Sequence, residues 1–345
     1  MKPGPGQYAL TALLEILMLV TFLSSLALTA AAQDVAEDTP TLQLDTPVGE
    51  PVSALVDTAE DYAAYHSVIA DLRDAPIGSA NDLDSAMDRL TTFYSDERLV
   101  RAWIAYTAMI AARHPEYLDD VRELADYYGP QAAMSGLMYD PAYATSFTHS
   151  ADAQASVVDA LERDTAQIRE VSERYRAAAY DLQTGNDGRW ARVRARDRQD
   201  RLDAITNAGE REIALDADIS SLVTSGMAAS ELFQPASAEF ETEAMTPQLS
   251  LTVGETSANP DRTRIGRILS VAALEDLSTD PQRSSEVIDA LLSDPVVERC
   301  LAWVRLDLQQ CVAAGHYKYE DSFCIAEHAL LDVSRCLGAS TGNSN

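Results

Sequence analysis

The chain contains very little lysine and cysteine. Apart from Lys2, its only lysine is Lys318, whereas arginine is plentiful. Its four cysteines all lie between Cys300 and Cys336, and none of them forms a C-x-x-C pair, which argues against a zinc knuckle and a thiol-redox site. Because such a scarcity of lysine is typical of high-GC bacterial genomes, we expect a bacterial protein.

Catalytic motifs are also missing. The sequence has no G-x-S-x-G, no Walker loop, no dinucleotide fingerprint and no H-E-x-x-H. It therefore identifies no catalytic residue, no cofactor and no metal ligand. Positive charge is scarce too, since 26 lysines and arginines face 55 acidic residues for a net charge of −29. Nucleic acid is not an expected partner, because such a charge repels polyanions at long range.

Residues 1–32 have the features of a secretory signal peptide. Lys2 supplies a positive start, residues 16–28 form an apolar run, and three alanines at 30–32 provide small residues for cleavage. The alternative is that the segment stays attached as an anchor. With cleavage, no later stretch is long and apolar enough to span a membrane, and we expect a secreted, periplasmic protein.

Helical periodicity dominates the rest of the chain. It predicts an all-α fold, a multi-helix bundle with a long antiparallel helical hairpin and a disulfide-braced C-terminal helical hairpin. The predicted parts are a flexible leader (33–53), an N-terminal helical bundle (54–150), the long helical hairpin (151–215), a linker or irregular segment with one short strand (216–262), and the disulfide-braced region (263–345).

The longest periodic run lies at residues 157–182. Apolar residues alternate there at spacings of four and three, and Asp164 alone breaks the stripe. The stripe is typical either of a coiled-coil face for a partner or of packing on the next helix of the same chain. Since a short Gly185–Gly188 turn follows, we favour packing on the next helix.

The cysteines are symmetric about a turn at Gly315–Lys318. Within one helix, Cys300 and Cys311 would lie about 16 Å apart at roughly 1.5 Å per residue, whereas a disulfide needs Cα atoms about 4.4–6.8 Å apart. The crossed pairs, Cys300 with Cys324 and Cys311 with Cys336, would be out of register by a similar distance. The spacing therefore predicts nested disulfides in a helical hairpin, Cys300 with Cys336 and Cys311 with Cys324.

A metal site is the alternative use of this segment. Cys324 and His328 are four residues apart, and His316 lies in the turn, a spacing that can serve zinc. We favour disulfides because the expected compartment is oxidising. The arrangement is similar to the twin-cysteine helical hairpins of the mitochondrial intermembrane space, although the spacings here are wider and unequal. That resemblance implies a fold and no function.

One segment is basic. Six arginines between residues 189 and 201 form a candidate polyanion contact, and in the alternative interpretation they pair with carboxylates elsewhere on this acidic chain. These are Arg189, Arg192, Arg194, Arg196, Arg198 and Arg201.

A short pattern occurs twice in the chain. Ala-Trp followed by Ala-Ala-x-His occurs at 102–114 and again at 302–316, and the pattern is explained either by a duplicated helix-turn-helix or by chance. Helix capping is the expected role of both histidines.

We expect a binding or scaffolding module of the bacterial envelope. Its partner would be a protein or an envelope polymer. A periplasmic hydrolase or lyase on a helical scaffold, and a metal-handling protein, are the alternatives.

Overall fold

Helices make up the regular structure of this chain. The computed structural model describes residues 54–94, 97–185, 192–211, 213, 219–233, 260–278 and 281–338. Within these ranges no strand occurs, apart from one isolated bridge between Arg194 and Tyr317. This confirms the predicted all-α class. The predicted signal peptide and leader, Arg189, and most of the predicted linker with its strand lie outside the described residues.

Along the chain, one group of helices lies before residue 190 and a second group lies after it. The first comprises α1 (Ala54–Asp74), α2 (Ala80–Thr91), α3 (Arg98–Ala111), α4 (Pro115–Tyr128), α5 (Pro130–Tyr139), a 3₁₀ turn (Pro141–Ser146) and α6 (Ser150–Thr184). The second comprises α7 (Arg198–Gly209), α8 (Ile219–Val223), α9 (Ala229–Leu232), α10 (Pro260–Leu277), α11 (Pro281–Leu291), α12 (Pro295–Ala314), α13 (Lys318–Cys324), a π-helical segment (Ile325–Asp332) and α14 (Val333–Gly338).

Several helices begin at residues that suit a helix start. The Ser79 hydroxyl accepts a hydrogen bond from the Asp82 amide, and the Asp82 carboxylate accepts one from the Ser79 amide at 2.7 Å, which is a capping box before α2. Proline occupies the first position of α4, α5 and α12. These local signals fix where the chain turns.

Helix α3 forms the centre of the core. It packs against α1 on one side and α10 on another, and Trp103 is fully buried. Helix α10 comes close to the 3₁₀ turn because of Gly266, where a Cβ would lie 2.7 Å from the Cα of Ala142. A segment that follows the predicted linker thus packs into the same core as the first helices.

Helix α6 explains the broken stripe of the sequence. Asp164 is completely buried, and its carboxylate accepts hydrogen bonds from the Ser230 amide at 2.8 Å and from the Tyr62 hydroxyl at 3.2 Å. Beside it, Gln167 bonds the ring of His66 at 3.1 Å and the Ser230 carbonyl at 3.2 Å. Asp164 and the neighbouring Gln167 thus hold α9 against α1 and α6.

The partner of α6 differs from the prediction. The next helix, α7, begins at Arg198 and packs against α2 and α12, while α6 packs mainly against α3, α13, the π segment and α14. Residues 193–197 lie outside any helix. The reason is a backbone pairing with the turn at 316–318, which a helical periodicity cannot reveal.

Burial also shapes the ionisation of the core tyrosines. For six of them, desolvation raises the pKa above the ordinary value of 10.0, and for Tyr62 the neighbouring Asp164 carboxylate raises the pKa further. The six are Tyr62, Tyr65, Tyr94, Tyr106, Tyr117 and Tyr175. Burial therefore favours the neutral phenol at each of these positions.

The π segment is held from outside by hydroxyl groups. The Ser172 hydroxyl donates to the Ala326 carbonyl at 2.9 Å, and the Tyr94 hydroxyl donates to the Ala329 carbonyl. A wider helical turn leaves backbone carbonyls available for such bonds. No helix in the described ranges is long and apolar enough to cross a membrane.

Candidate functional site

The C-terminal hairpin is braced by two disulfides. Helix α12 packs against α13, the π segment and α14. Cys300 is bonded to Cys336 and Cys311 to Cys324, each with Cα atoms 5.7 Å apart. This is the nested pairing that the spacing predicts. Since Cys324 is in a disulfide, it is not available as a metal ligand.

An extended segment lies across the turn of this hairpin. We call residues 192–198 the arginine strap. Its Ala195 amide donates to the His316 carbonyl at 3.1 Å, and the Lys318 amide donates to the Val193 carbonyl at 2.9 Å. The guanidinium of Arg194 lies 4.7 Å from the centre of the Tyr317 ring, a cation–π contact. These contacts hold residues 193–197 outside any helix; Asp197 then caps α7, whose first residue, Arg198, ends the strap.

An ion cluster formed by Asp84, Arg201, Lys318 and Asp321 adjoins the strap; the last three side chains are buried, and that of Asp84 is 31% exposed. The Lys318 ammonium donates to Asp84 at 2.6 Å and to Asp321 at 2.5 Å, while Arg201 donates to Asp321 at 3.1 Å. Arg201 also donates to the Gly315 carbonyl at 2.8 Å. The cluster ties α2 and α7 to the turn, so Arg201 acts as an internal anchor.

The other described arginines of the basic segment are exposed. Arg196 pairs with Asp84 at 3.1 Å. Arg192, Arg194 and Arg198 form no salt bridge with any residue in the described ranges. The strap and the turn border a shallow cavity of about 530 Å³, which His316 also lines. Guanidinium groups in such an arrangement can hold carboxylates or phosphates in a bidentate way.

A second depression lies on the other side of the turn. We call it the aromatic groove. It has a volume of about 400 Å³ and is lined by Tyr180 of α6, by Tyr319 and Phe323 of α13, and by the Cys311–Cys324 disulfide. The Tyr319 ring stacks on the Tyr317 ring with centroids 5.9 Å apart and an interplanar angle of 12°. Tyr317 thus connects the strap to the groove.

The ionisable side chains of the hairpin bond to separate partners. The Glu327 carboxylate bonds Arg176 at 2.6 Å, and His328 bonds Asp332 at 2.9 Å. Glu320 instead accepts the backbone amides of His316 and Tyr317, which closes the turn. Over the described ranges, no three residues among His, Cys, Asp and Glu form a group that could hold a metal ion.

The repeated Ala-Trp pattern falls in two different environments. Trp103 is 0% exposed in the core, whereas Trp303 is 61% exposed on α12. His114 precedes α4, while His316 pairs with the strap. The two copies share a helix-turn-helix outline, but their tryptophans and histidines lie in different surroundings.

Sequence reasoning missed the aromatic groove and the strap geometry. Both depend on contacts between residues more than a hundred positions apart, such as Arg194 with Tyr317. The Arg-x-Arg alternation at 192–198 is the one signal that pointed to an extended strap. Comparisons of the chain with protein-family models, curated proteins and solved structures give no match.

Proposed function

We propose that this protein is an exported binding module that holds an anionic polymer of the bacterial envelope through the arginine strap. The observation that carries the proposal is the exposure of Arg192, Arg194 and Arg198 without carboxylate partners in the described ranges. In a chain with a net charge of −29, most arginines would be expected to pair with acidic side chains. These three neighbouring arginines therefore keep their positive charge available for an anionic ligand.

The rigidity of the strap supports the same proposal. Its backbone is fixed by two hydrogen bonds to the turn, and the turn is fixed by the ion cluster and the Cys311–Cys324 disulfide. A binding surface that is already ordered loses less conformational entropy when the ligand arrives. The disulfides are also compatible with an oxidising compartment, in line with the export expected from residues 1–32.

The test is a binding measurement with inorganic polyphosphate on the full chain. We expect the triple variant Arg192→Gln/Arg194→Gln/Arg198→Gln to lose at least tenfold in affinity. We also expect the slope of log affinity against log salt to fall by roughly 2, at about 0.7 per charge for a single-stranded polyanion.

The matched control removes the same charge elsewhere. Arg169, Arg299 and Arg335 are exposed and lie outside the strap. Their triple change to glutamine should leave the affinity within about twofold, because screening limits the reach of a charge to about 8 Å at physiological salt. Equal losses in both triple variants, or no binding by the unaltered protein, would rule out the strap as the site.

A protein partner is the second candidate, carried by an exposed apolar face on α12. Val296, Trp303 and Leu306 are exposed by 60%, 61% and 40% and follow a helical spacing. Such a face is typical of an interaction surface. Carboxylate-directed cross-linking in whole cells should capture the partner, and Trp303→Ser should abolish the capture. Unchanged cross-links in this variant would exclude the α12 face.

A further inference from the structure

The aromatic groove adjoins the arginine strap and is not used by the binding proposed so far. Its walls carry ring faces that reach solvent, since Tyr180 is 58% and Phe323 41% exposed. Tyr319 lies between them and the strap, stacked on Tyr317, whose ring also contacts the Arg194 guanidinium. Cationic and aromatic surfaces therefore form one continuous path around the turn.

The chemistry of this path restricts the ligand. Aromatic faces beside an apolar disulfide suit a flat surface of C–H groups, as one face of a pyranose ring offers. The Tyr319 hydroxyl accepts a hydrogen bond from the Gln183 amide at 3.4 Å, so polar groups are present at the rim. Pockets of this kind, apolar with a few polar groups, fix the orientation of a small ring.

Among the described residues that line the groove, Glu320 alone carries a carboxylate. Its oxygen accepts the amides of His316 and Tyr317, so its charge is directed into the turn. The strap presents at least three guanidinium groups at the other end of the path. A ligand that fills both ends needs flat ring faces and negative charges in the same molecule.

We propose that the groove and the strap together bind an acidic polysaccharide, with a carboxylate-bearing sugar at Arg194 and a neighbouring ring against Tyr180 and Phe323. This inference rests on the proposed function and names the ligand class for the same surface. Carboxylates spaced one per sugar suit an acidic protein better than the denser charge of nucleic acid, which in a duplex reaches about one per 1.7 Å. An acidic peptide supplies carboxylates but no flat ring face for the groove.

The experiment compares two polymers on the full oxidised chain. The probes are an oligomer of polygalacturonate and inorganic polyphosphate of equal charge number, measured by titration calorimetry. The groove variants are Tyr180→Ala with Phe323→Ala and, separately, Ala314→Glu, which places a carboxylate at an exposed position of the groove without touching the core. The control is Tyr127→Ala, which removes a tyrosine that is 80% exposed elsewhere.

We expect both groove variants to lower the affinity for polygalacturonate about tenfold. The Tyr180→Ala/Phe323→Ala variant should leave the affinity for polyphosphate unchanged, whereas the added carboxylate of Ala314→Glu should also weaken polyphosphate, because Ala313 and Gly315 beside it line the strap cavity. The strap triple variant should weaken both polymers. If the groove variants change neither affinity while the strap variant still weakens both, the polysaccharide inference is wrong and anion binding by the strap stands. If the strap variant has no effect, both proposals fail. If the protein bound a single-stranded oligonucleotide more tightly than polygalacturonate, with the same dependence on Tyr180, the ligand class would be nucleic acid and the polysaccharide inference would be wrong.

Discussion

Replacing Lys318 by methionine tests the buried ion cluster. The side chain of Lys318 is 4% exposed, and its ammonium bonds two carboxylates at 2.6 and 2.5 Å. Methionine keeps most of the apolar stem and removes the charge. Breaking a buried ion pair from one side costs about 3–5 kcal/mol, because a charge is left without compensation.

Two remaining arginines reduce this cost. Arg201 still lies 3.1 Å from Asp321, and Arg196 still lies 3.1 Å from Asp84. We therefore expect the lower end of the range, a loss of about 3 kcal/mol in the free energy of unfolding. Since native domains are stable by only about 5–15 kcal/mol, the loss would be a large share of the total.

Urea unfolding of the oxidised protein measures this loss. The midpoint should fall while the slope of free energy against urea stays the same. Arg198→Met serves as the control, because it removes one exposed charge and should change stability by no more than about 0.5 kcal/mol. A double-mutant cycle with Asp84→Asn should give a coupling of about 0.5–3 kcal/mol. A loss below about 1 kcal/mol for Lys318→Met would refute the view that the cluster anchors the turn.

Three further predictions concern groups outside the cluster. Asp164→Ala should destabilise the fold by about 3 kcal/mol in urea unfolding, since each buried donor left without an acceptor costs about 1–3 kcal/mol. As a control, Asp159→Ala at an exposed position should leave the free energy of unfolding nearly unchanged. Equal losses in the two variants would contradict this reasoning. The hydrogen bond to Asp120 raises the pKa of His149 above 6.5, and for Asp120 the bonds from His149 outweigh burial and lower the pKa below 3.8. The contribution of His149 to stability is then complete below pH 6.5 and is lost as pH rises through its folded pKa, whereas the contribution of Asp120 is complete above pH 3.8 and is lost as pH falls through its folded pKa. In Asp120→Asn, an NMR titration should show the His149 pKa return toward 6.5. An unchanged His149 pKa would contradict the pairing. The core tyrosines have folded pKa values above 10, so the stability due to their burial is present below pH 10 and is lost as pH rises further. Ultraviolet absorbance should show these tyrosines ionising together with unfolding. Gradual ionisation in a chain that is still folded would contradict their burial.

Local signals in the sequence predicted a large part of the fold. The helical periods, the proline and glycine boundaries and the spacing of Cys300, Cys311, Cys324 and Cys336 depend on neighbours in the chain or on symmetry about one turn. Such information is present in any single sequence. It was sufficient for the all-α class and for the hairpin.

Long-range polar contacts were not predictable in the same way. Asp164 interrupts an apolar stripe, and nothing near it in sequence indicates that Ser230 and Tyr62 will supply its hydrogen bonds. Likewise, an arginine-rich segment fits a solvated helix as well as an extended strap. Backbone hydrogen bonds to the turn at 316–318, more than a hundred residues away, favour the strap over a helix.

The nested disulfides have a consequence for proteolysis. Any peptide bond between Cys311 and Cys324 lies inside both covalent loops, so a protease that nicks the turn leaves the two ends joined twice. The fragments would separate on a gel only after reduction. Tyr317 and Tyr319 lie in that doubly closed stretch, so a chain cut there would keep both rings attached to the body of the protein.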